Sequence, residues 1–400
     1  MSKSSEMTAP EREHGSTGSK TRFTISGTES LETRLADMCQ SVLIGVQQII
    51  PAGRLQLLVL GGGYGRGQGG VLRTDEGDKP YNDLEFYVFV RGNLFLAERR
   101  HRVALQELGE HLSPEMGLHV EFKLYSLEKL RRGQISMYSY DLVAGHKIIY
   151  GGEKLFRGCE HHLAPEQIPA SEATRLLFNR CSGLLLVRNL LRSPNLNPEQ
   201  SDFIGRNLAK AQLGFGDAIL TLFGLYHWDC RERHERLNTL KPFDPPSWLS
   251  QVRHHHAEGV LFKLHPQRAT NSRDELGSQF AELHELGRRI WLWIEGRRLN
   301  RVFKSARDYS LNDLKKCPDS TLVRNCLLNL KTYGPRAPFT GGFSRYPREK
   351  LFNALTILLW DDNVPHERAV LQRLQNQLRA RSTRWEDLIS AYMRLWQTYG

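Results

Sequence analysis

Three carboxylates and one glycine-rich loop carry the chemistry within reach of this chain. Asp83 and Glu85 are separated by one residue in the run Asp83-Leu84-Glu85-Phe86-Tyr87-Val88-Phe89-Val90, whose β-branched and aromatic content reads as a strand. Strand alternation puts Leu84, Phe86 and Val88 on one face and Asp83 and Glu85 on the other. Glu121 occupies the polar face of a second run, Leu118-His119-Val120-Glu121-Phe122-Lys123-Leu124-Tyr125. If the two strands are neighbours, the three carboxylates converge. Like charges 4 Å apart repel by about 4 kcal/mol at an effective dielectric of 20, so such a cluster calls for a cation. Carboxylate oxygens beside substrate phosphates are what Mg²⁺ selects. Two such ions can stabilise the attacking and leaving oxygens of phosphoryl or nucleotidyl transfer.

The elements that must position these groups can be read around them. Leu57–Leu60 is an apolar run of strand length, and seven of the ten positions from Gly61 to Gly70 are glycine. Each interior glycine costs about 0.5–1 kcal/mol relative to alanine, and close approach of backbone to a ligand is the usual reason to accept that. Apolar residues at helical spacing from Leu31 to Ile49 predict a helix that Pro51 stops, and Leu94–Leu108 carries a second amphipathic pattern. The order helix, strand, strand, helix, strand makes a compact α/β unit, which the segment Tyr138–Gly152 ends. Residues 1–28 are polar and rich in Ser, Thr, Glu and Gly, and are expected to form a disordered tail. From about residue 170 nearly every pattern is helical. Helices are expected over 171–192, 198–226, 274–299, 320–333, 347–361, 365–381 and 383–398. The expected class is α+β: a small α/β domain with a mixed sheet over 29–160, then an all-helical domain over 170–400.

Gly62-Gly63-Tyr64-Gly65-Arg66-Gly67 followed by Asn82-Asp83-Leu84-Glu85 resembles the signature of the polymerase-β-type nucleotidyltransferase superfamily. The Gly-Tyr-Gly-Arg-Gly run is similar to the bacterial regulatory-protein uridylyltransferases. The Asp-x-Glu pair with Val120-Glu121-Phe122 is more like the aminoglycoside nucleotidyltransferases. The resemblance covers about residues 31–155. It implies that Gly62 and Gly63 hold phosphate through backbone N–H groups at a helix start, with Tyr64 and Arg66 counted among the nucleotide contacts. It makes Asp83 and Glu85 metal ligands, with Glu121 completing the site and helping to deprotonate an acceptor hydroxyl. Two departures stand out: Gly63 replaces the serine often found there, and Arg73–Tyr81 inserts an apparent hairpin. The alternative reading of Asp83, Glu85 and Glu121 is a solvated strand face, and Arg66 may be read as a surface arginine. A literal dinucleotide fingerprint, Gly65-Arg66-Gly67-Gln68-Gly69-Gly70, is set aside because hairpin and turn residues follow it instead of a crossover helix.

In the helical half, Arg206, Lys210 and Asp217 fall near one helix face, and Lys210 and Asp217 lie two turns apart. They are candidate contacts to base or acceptor, against the plainer reading of a salt-bridging, solvated face. Tyr226 and the basic cluster Arg231–Arg236 stand under the same two readings. His254-His255-His256 reads as a surface tract, since adjacent helical histidines point apart. The Arg157-x₄-His162 spacing falls in an expected loop and is discounted.

Composition sets the outer bounds. Four hundred residues suggest two domains, or one domain with a large extension, and 40% hydrophobic with 25% charged residues allows a sizeable core. A net charge of +11 favours an anionic partner, such as a nucleotide, a phosphorylated metabolite or RNA, without choosing among them. Six scattered cysteines without a Cys-x-x-Cys pair fit a reducing cytosol. No apolar stretch approaches the roughly 20 residues of a membrane span. The N-terminus lacks the apolar core of a secretory signal, and a cytoplasmic protein without membrane association is expected. The resulting expectation is a Mg²⁺-dependent nucleotidyltransferase, moving a nucleoside monophosphate from a nucleoside triphosphate such as ATP to an unidentified acceptor: a small molecule, a protein or an RNA end. The alternative is a non-catalytic module of the same fold that binds nucleotide, RNA or a protein partner. No motif singles out nucleic acid.

Overall fold

A computed structural model describes residues 22–318, 320–361 and 367–400. Most of the expected tail lies outside them, but its last seven residues do not behave as a tail. Phe23 and Thr24 are buried, and their amides donate to the Glu32 carboxylate at 2.7 and 3.0 Å. Ordered packing thus begins before the boundary that composition set at residue 28.

The first layer is α1 (Glu29–Ile49), which buries Leu31, Leu35, Met38, Val42 and Val46. After β1 (Leu55–Leu60) comes the single helical turn α2 (Gly62–Gly65). A hairpin follows, β2 (Val71–Thr74) and β3 (Gly77–Pro80), paired only with each other. It is the insertion expected at Arg73–Tyr81. Then come β4 (Leu84–Val90) and α3 (Leu94–Met116), which Asn93 caps by accepting from the Leu96 amide. Gly117, at φ +69°, ends α3 and feeds β5 (Val120–Tyr125). Two short helices, α4 (Leu127–Arg132) and α5 (Met137–Ala144), precede β6 (Lys147–Tyr150).

The strands form one mixed sheet in the order β5-β4-β1-β6. β1 runs antiparallel to β4 and β6, whereas β4 and β5 are parallel, joined by the crossover helix α3. Leu58, Leu60, Leu84, Phe86, Val88 and Val90 bury one face in the same core as α1 and α3. The opposite face is less open than strand alternation implies. Leu57, Val59, Tyr87 and Phe89 pack there with Leu127, Leu130 and Leu142, so only the end near Glu85 stays polar.

The remainder is helical: α6 (Ala170–Leu190), α7 (Pro198–Leu222), α8 (Cys230–Thr239), α9 (Leu249–Leu264), α10 (Arg273–Arg298), α11 (Ala306–Leu311), α12 (Leu322–Tyr333), α13 (Pro347–Trp360), α14 (Arg368–Leu378) and α15 (Trp385–Tyr399). Caps explain several starts. Asn197 with Gln200 opens α7, and Ser272 with Glu275 opens α10, each as a reciprocal capping box. The chain is therefore α+β, with a small mixed sheet followed by helices. Of the helix expected over 365–381, residues 365 and 366 lie outside the described residues. Among the described residues no helix is long and apolar enough to cross a membrane.

Helix α13 is the axis of the helical part. All its residues except Arg348 and Trp360 are buried, and Leu355, Leu358 and Leu359 sit in the largest core. Leu358→Ala is expected to cost about 3 kcal/mol through lost burial and a residual cavity. Urea unfolding measures this, and an unchanged midpoint would remove α13 from the core.

Candidate functional site

The parallel register of β4 and β5 places Glu85 directly beside Glu121. Asp83 lies just before β4 and is exposed. Lys123, two residues beyond Glu121 and on the same face, sets its ammonium 3.2 Å from a carboxylate oxygen of Glu85 and 3.2 Å from one of Glu121. Burial alone would lower the Lys123 pKa, but these two carboxylates outweigh it and raise it. The cation that the paired glutamates require is thus supplied by the chain itself. Tyr87 donates its hydroxyl hydrogen to the same Glu85 oxygen at 3.2 Å. Among the described residues no three His, Cys, Asp or Glu side chains are grouped to hold a metal ion. The three carboxylates are brought to one end of the sheet but do not form a ready three-ligand cage.

The glycine turn is pressed onto this carboxylate. The Gly61 amide donates to the Glu85 carbonyl at 2.9 Å. Gly62 has φ +62°, and a Cβ there would lie 3.1 Å from Glu85 Oε1. Glycine alone suits both demands. Beyond the turn the loop is tied down. The amides of Gly65, Arg66, Gly67, Gln68, Gly69 and Gly70 donate to Gly61, Gly62, Tyr64, Gly63, Phe23 and Asn82 in turn. No acceptor among the described residues takes the amide hydrogens of Gly62 and Gly63. Those two donors stand beside Glu85 where an anion can meet them. The missing serine also has a local cause: Gln68 folds back to donate to the Gly63 carbonyl at 2.8 Å, and its own carbonyl oxygen would lie 3.1 Å from a Cβ at position 63.

Tyr64 is not at the open face of the loop. It is fully buried, donates to the Gly70 carbonyl at 2.9 Å and accepts from the Tyr81 amide at 2.8 Å. Its side chain is a strut joining the two ends of the hairpin insertion, so the expected nucleotide contact is replaced by a structural one. Burial pushes its hydroxyl up to about 12.

Across from the loop stand α7, α8 and α9. Tyr81 sets its ring edge-on to Phe262 with centroids 6.0 Å apart, and Gln68 accepts from the Cys230 amide at 3.2 Å. Arg66 is held 3.1 Å from Asp141, which also accepts from Tyr226 at 3.2 Å. The sheet-bearing and helical parts are therefore stitched by hydrogen bonds as well as by the apolar group Tyr140, Ile168 and Tyr226.

Asp217 also takes a position different from the expected one. It is buried, receiving Arg233 Nε at 2.6 Å and lying 3.0 Å from His256 Nε2. Burial raises its pKa, but Arg233 and then His256 outweigh burial and hold the carboxyl below its usual value. Neither a ligand contact nor a solvated face, it is the centre of an internal ion network. Within the histidine run only His254 is exposed. His255 and His256 are buried, and the His234 and His256 Nδ1 atoms lie 3.2 Å apart, so one donates to the other. Arg233 belongs to the run read as a basic surface cluster, yet it is buried; its partner lies sixteen residues away, beyond any periodicity signal.

Lys210, in contrast, is exposed on α7 and near enough to Asp83 for their charges to interact. Desolvation, then repulsion from Arg180 and Arg206, lowers its pKa, with Asp83 acting the other way. Lys263, on α9, is pushed down to about 8 by burial and then by Arg66 and Arg233. Nε of Arg66, Nε of Arg180 and Nε2 of Gln68 are buried without a hydrogen-bond partner among the described residues. Buried donors without acceptors cost roughly 1–3 kcal/mol each. Lys263 and the buried donors of Arg66 and Gln68 thus add positive charge and open hydrogen-bonding capacity around the glycine loop. Lys263 and Gln68 escaped sequence reasoning because only the fold brings α9 to the loop.

Removing Asp217 should damage folding rather than binding alone. Asp217→Ala leaves Arg233 buried and uncompensated, at an expected cost of about 3–5 kcal/mol. Lys210→Ala should change stability by less than about 0.5 kcal/mol. Equal urea midpoints for the two variants would contradict the assignment of the ion network. No protein-family model, no curated protein and no solved structure matches the chain.

Proposed function

We propose that this chain is a Mg²⁺-dependent nucleotidyltransferase, transferring a nucleoside monophosphate from a nucleoside triphosphate to an acceptor with release of pyrophosphate. One observation carries the reading: among the described residues no acceptor takes the amides of Gly62 and Gly63, and Gly62 is pressed against the Glu85 carboxylate in a loop whose Arg66 and Gln68 keep buried donors without partners. Fixed donors of this kind need no reorganisation when a polyanion arrives. Gly62, Gly63, Lys210 and Lys263 would hold the triphosphate, and Arg66 would offer the N–H that Asp141 leaves free.

Asp83 and Glu85 fit the part of metal ligands, because Mg²⁺ is commonly held by one or two carboxylates together with substrate phosphates and water. Bound there, Mg²⁺ would supply Lewis-acid stabilisation of charge at the α-phosphate. Glu121 takes a changed role in this proposal. Held by Lys123 beside Glu85, it would orient the lysine and adjust the charge of the site, in place of closing a three-carboxylate cage. An acceptor hydroxyl directed at the exposed side of Asp83 and Glu121 would lose its proton to a carboxylate there. The acceptor would be a small molecule, a protein side chain or an RNA end, with the helical domain forming one wall of its site.

The Lys123 bridge favours one second reading, a nucleotide-binding module without turnover. An internal ammonium already occupies the position between Glu85 and Glu121 that catalysis would assign to a metal ion.

Pyrophosphate release from each of the four ribonucleoside triphosphates, measured with Mg²⁺ and cell extract as acceptor source, separates these readings. Wild type should release pyrophosphate, whereas Asp83→Ala and Glu85→Ala should fall by at least about 100-fold while remaining folded. Undiminished release in both variants would overturn the metal assignment. Nucleotide binding without release would select the binding module.

The cleft also predicts a pH dependence. Only protonated Lys263 attracts the triphosphate, and its folded pKa is about 8. Nucleotide affinity should therefore hold below pH 8 and fall as pH rises through that value. Lys263→Met should weaken binding and flatten the fall. Calorimetry from pH 6.5 to 9.5 measures both, and an unchanged profile in the variant would exclude Lys263 from the site.

A further inference from the structure

A cavity lies in the C-terminal helices, between α13, α14 and the segments 312–316 and 339–345, and its lining includes no residue of the glycine loop or its carboxylates. Its volume is about 580 Å³, within the range of small-molecule sites. Lys316 and Lys350 line it, each only 2% exposed. Lysine is seldom buried so deeply without a carboxylate partner. Neither ammonium here has one within ion-pairing distance among the described residues. Lys316 donates to the carbonyls of Tyr309 and Asn312, at 2.8 and 3.3 Å, and to the Asn353 side chain. Lys350 donates to the Asn329 and Thr340 side chains at 2.7 Å each, which leaves one of its three hydrogens unspent. The Tyr309 and Tyr333 rings lie 4.3 and 3.9 Å from the two ammonium nitrogens. The lysines are thus fixed in place by neutral groups while their charge is left unneutralised.

Arg345 and Arg373 add two guanidinium groups to the same wall, against the carboxylates of Asp313 and Glu349. Glu349 is itself engaged, accepting from the Cys317 amide at 2.9 Å and pairing with Arg345 at 3.4 Å. Among the described residues, Arg373 reaches only the Ser310 carbonyl, at 3.5 Å. The balance is four cations to two anions around a half-open space, with Gly341 and Gly342 among its lining. Burial pushes both lysines down to about 7, the direction that an arriving anion would reverse.

We propose that this cavity is a binding site for a small, multiply charged phosphate compound, separate from the cleft beside Glu85. Lys316 and Lys350 form its floor, and Arg373 is its adaptable contact. Among the described residues its lining comes from 312–377, none of it from the glycine loop or its carboxylates, so its ligand is an effector or sensor signal and not the phosphoryl donor. The inference stands independently of the nucleotidyltransferase reading.

Calorimetric titration of the full chain with inorganic tripolyphosphate tests it. Arg373→Gln removes a guanidinium that the fold does not need, and Lys350→Met removes the deeper charge. Lys210→Ala weakens the cleft and serves as the control. The expected result is a binding event that Arg373→Gln weakens by about tenfold or more and Lys210→Ala leaves unchanged. Lys350→Met, where folded, should weaken the same event. Absence of any binding, or binding none of whose events Arg373→Gln weakens, overturns the proposal; a separate event weakened by Lys210→Ala belongs to the glycine loop.

Discussion

The Asp217 carboxylate holds two helices and a cleft in one arrangement. Taking it out of water is costly, and Arg233 and His256 compensate only because α8 and α9 carry them to α7 in one geometry. From Arg233 the order continues outward. Its guanidinium accompanies the Tyr226 ring, Tyr226 donates to Asp141, and Asp141 fixes Arg66 at the edge of the glycine loop. A buried charge in the helical part and a phosphate-sized loop in the sheet part are therefore links in one chain of polar contacts. Disturbing either end would be felt as a loss of alignment at the other.

A second constraint acts on the sheet itself. Parallel pairing of β4 with β5 forces Glu85 and Glu121 together, and the chain resolves the conflict with Lys123 two residues on. The resolution is local, cheap and reversible, since all three side chains remain partly exposed. It depends on the β4–β5 register alone, whereas the pKa values of Lys210 and Lys263 are lowered by desolvation and by neighbouring guanidinium groups, Arg180 and Arg206 for the first, Arg66 and Arg233 for the second. Compensation thus dominates around Glu85 and Glu121, and desolvation with repulsion from arginines dominates around Lys210 and Lys263.

Much of the framework was legible because it rests on periodicity. The alternation in Leu84–Val90 and Val120–Tyr125, the helical spacing from Leu31 and the stop at Pro51 all depend on neighbours in sequence. The hairpin insertion was legible from its turn residues. What escaped was either short or tertiary. β6 is only four residues, too few to show a period. The run Cys230–Thr239 looks like exposed charge, and only Asp217 makes Arg233 an interior residue. Tyr64 read as part of a ligand loop because its acceptor role toward Tyr81 lies across an insertion. The candidate site followed the same division. Its glycines and carboxylates could be named from spacing, while Lys123 as bridge and Lys263 as opposing charge needed the strand register and the docking of α9.

The stitching of Gln68 to Cys230 and of Arg66, through Asp141, to Tyr226 has a consequence for how the protein is made. Synthesis proceeds from the N-terminus at about 5–20 residues per second, and domains tend to fold as they emerge. The sheet and its glycine loop are complete by Tyr150, yet the opposing wall reaches Lys263 only more than a hundred residues later. During that interval the loop is formed but unmatched, its idle amides facing solvent. A nascent chain can thus present half of the cleft without being able to close it, so competence arrives late and all at once. The order of residues along the chain acts as a timer on the site.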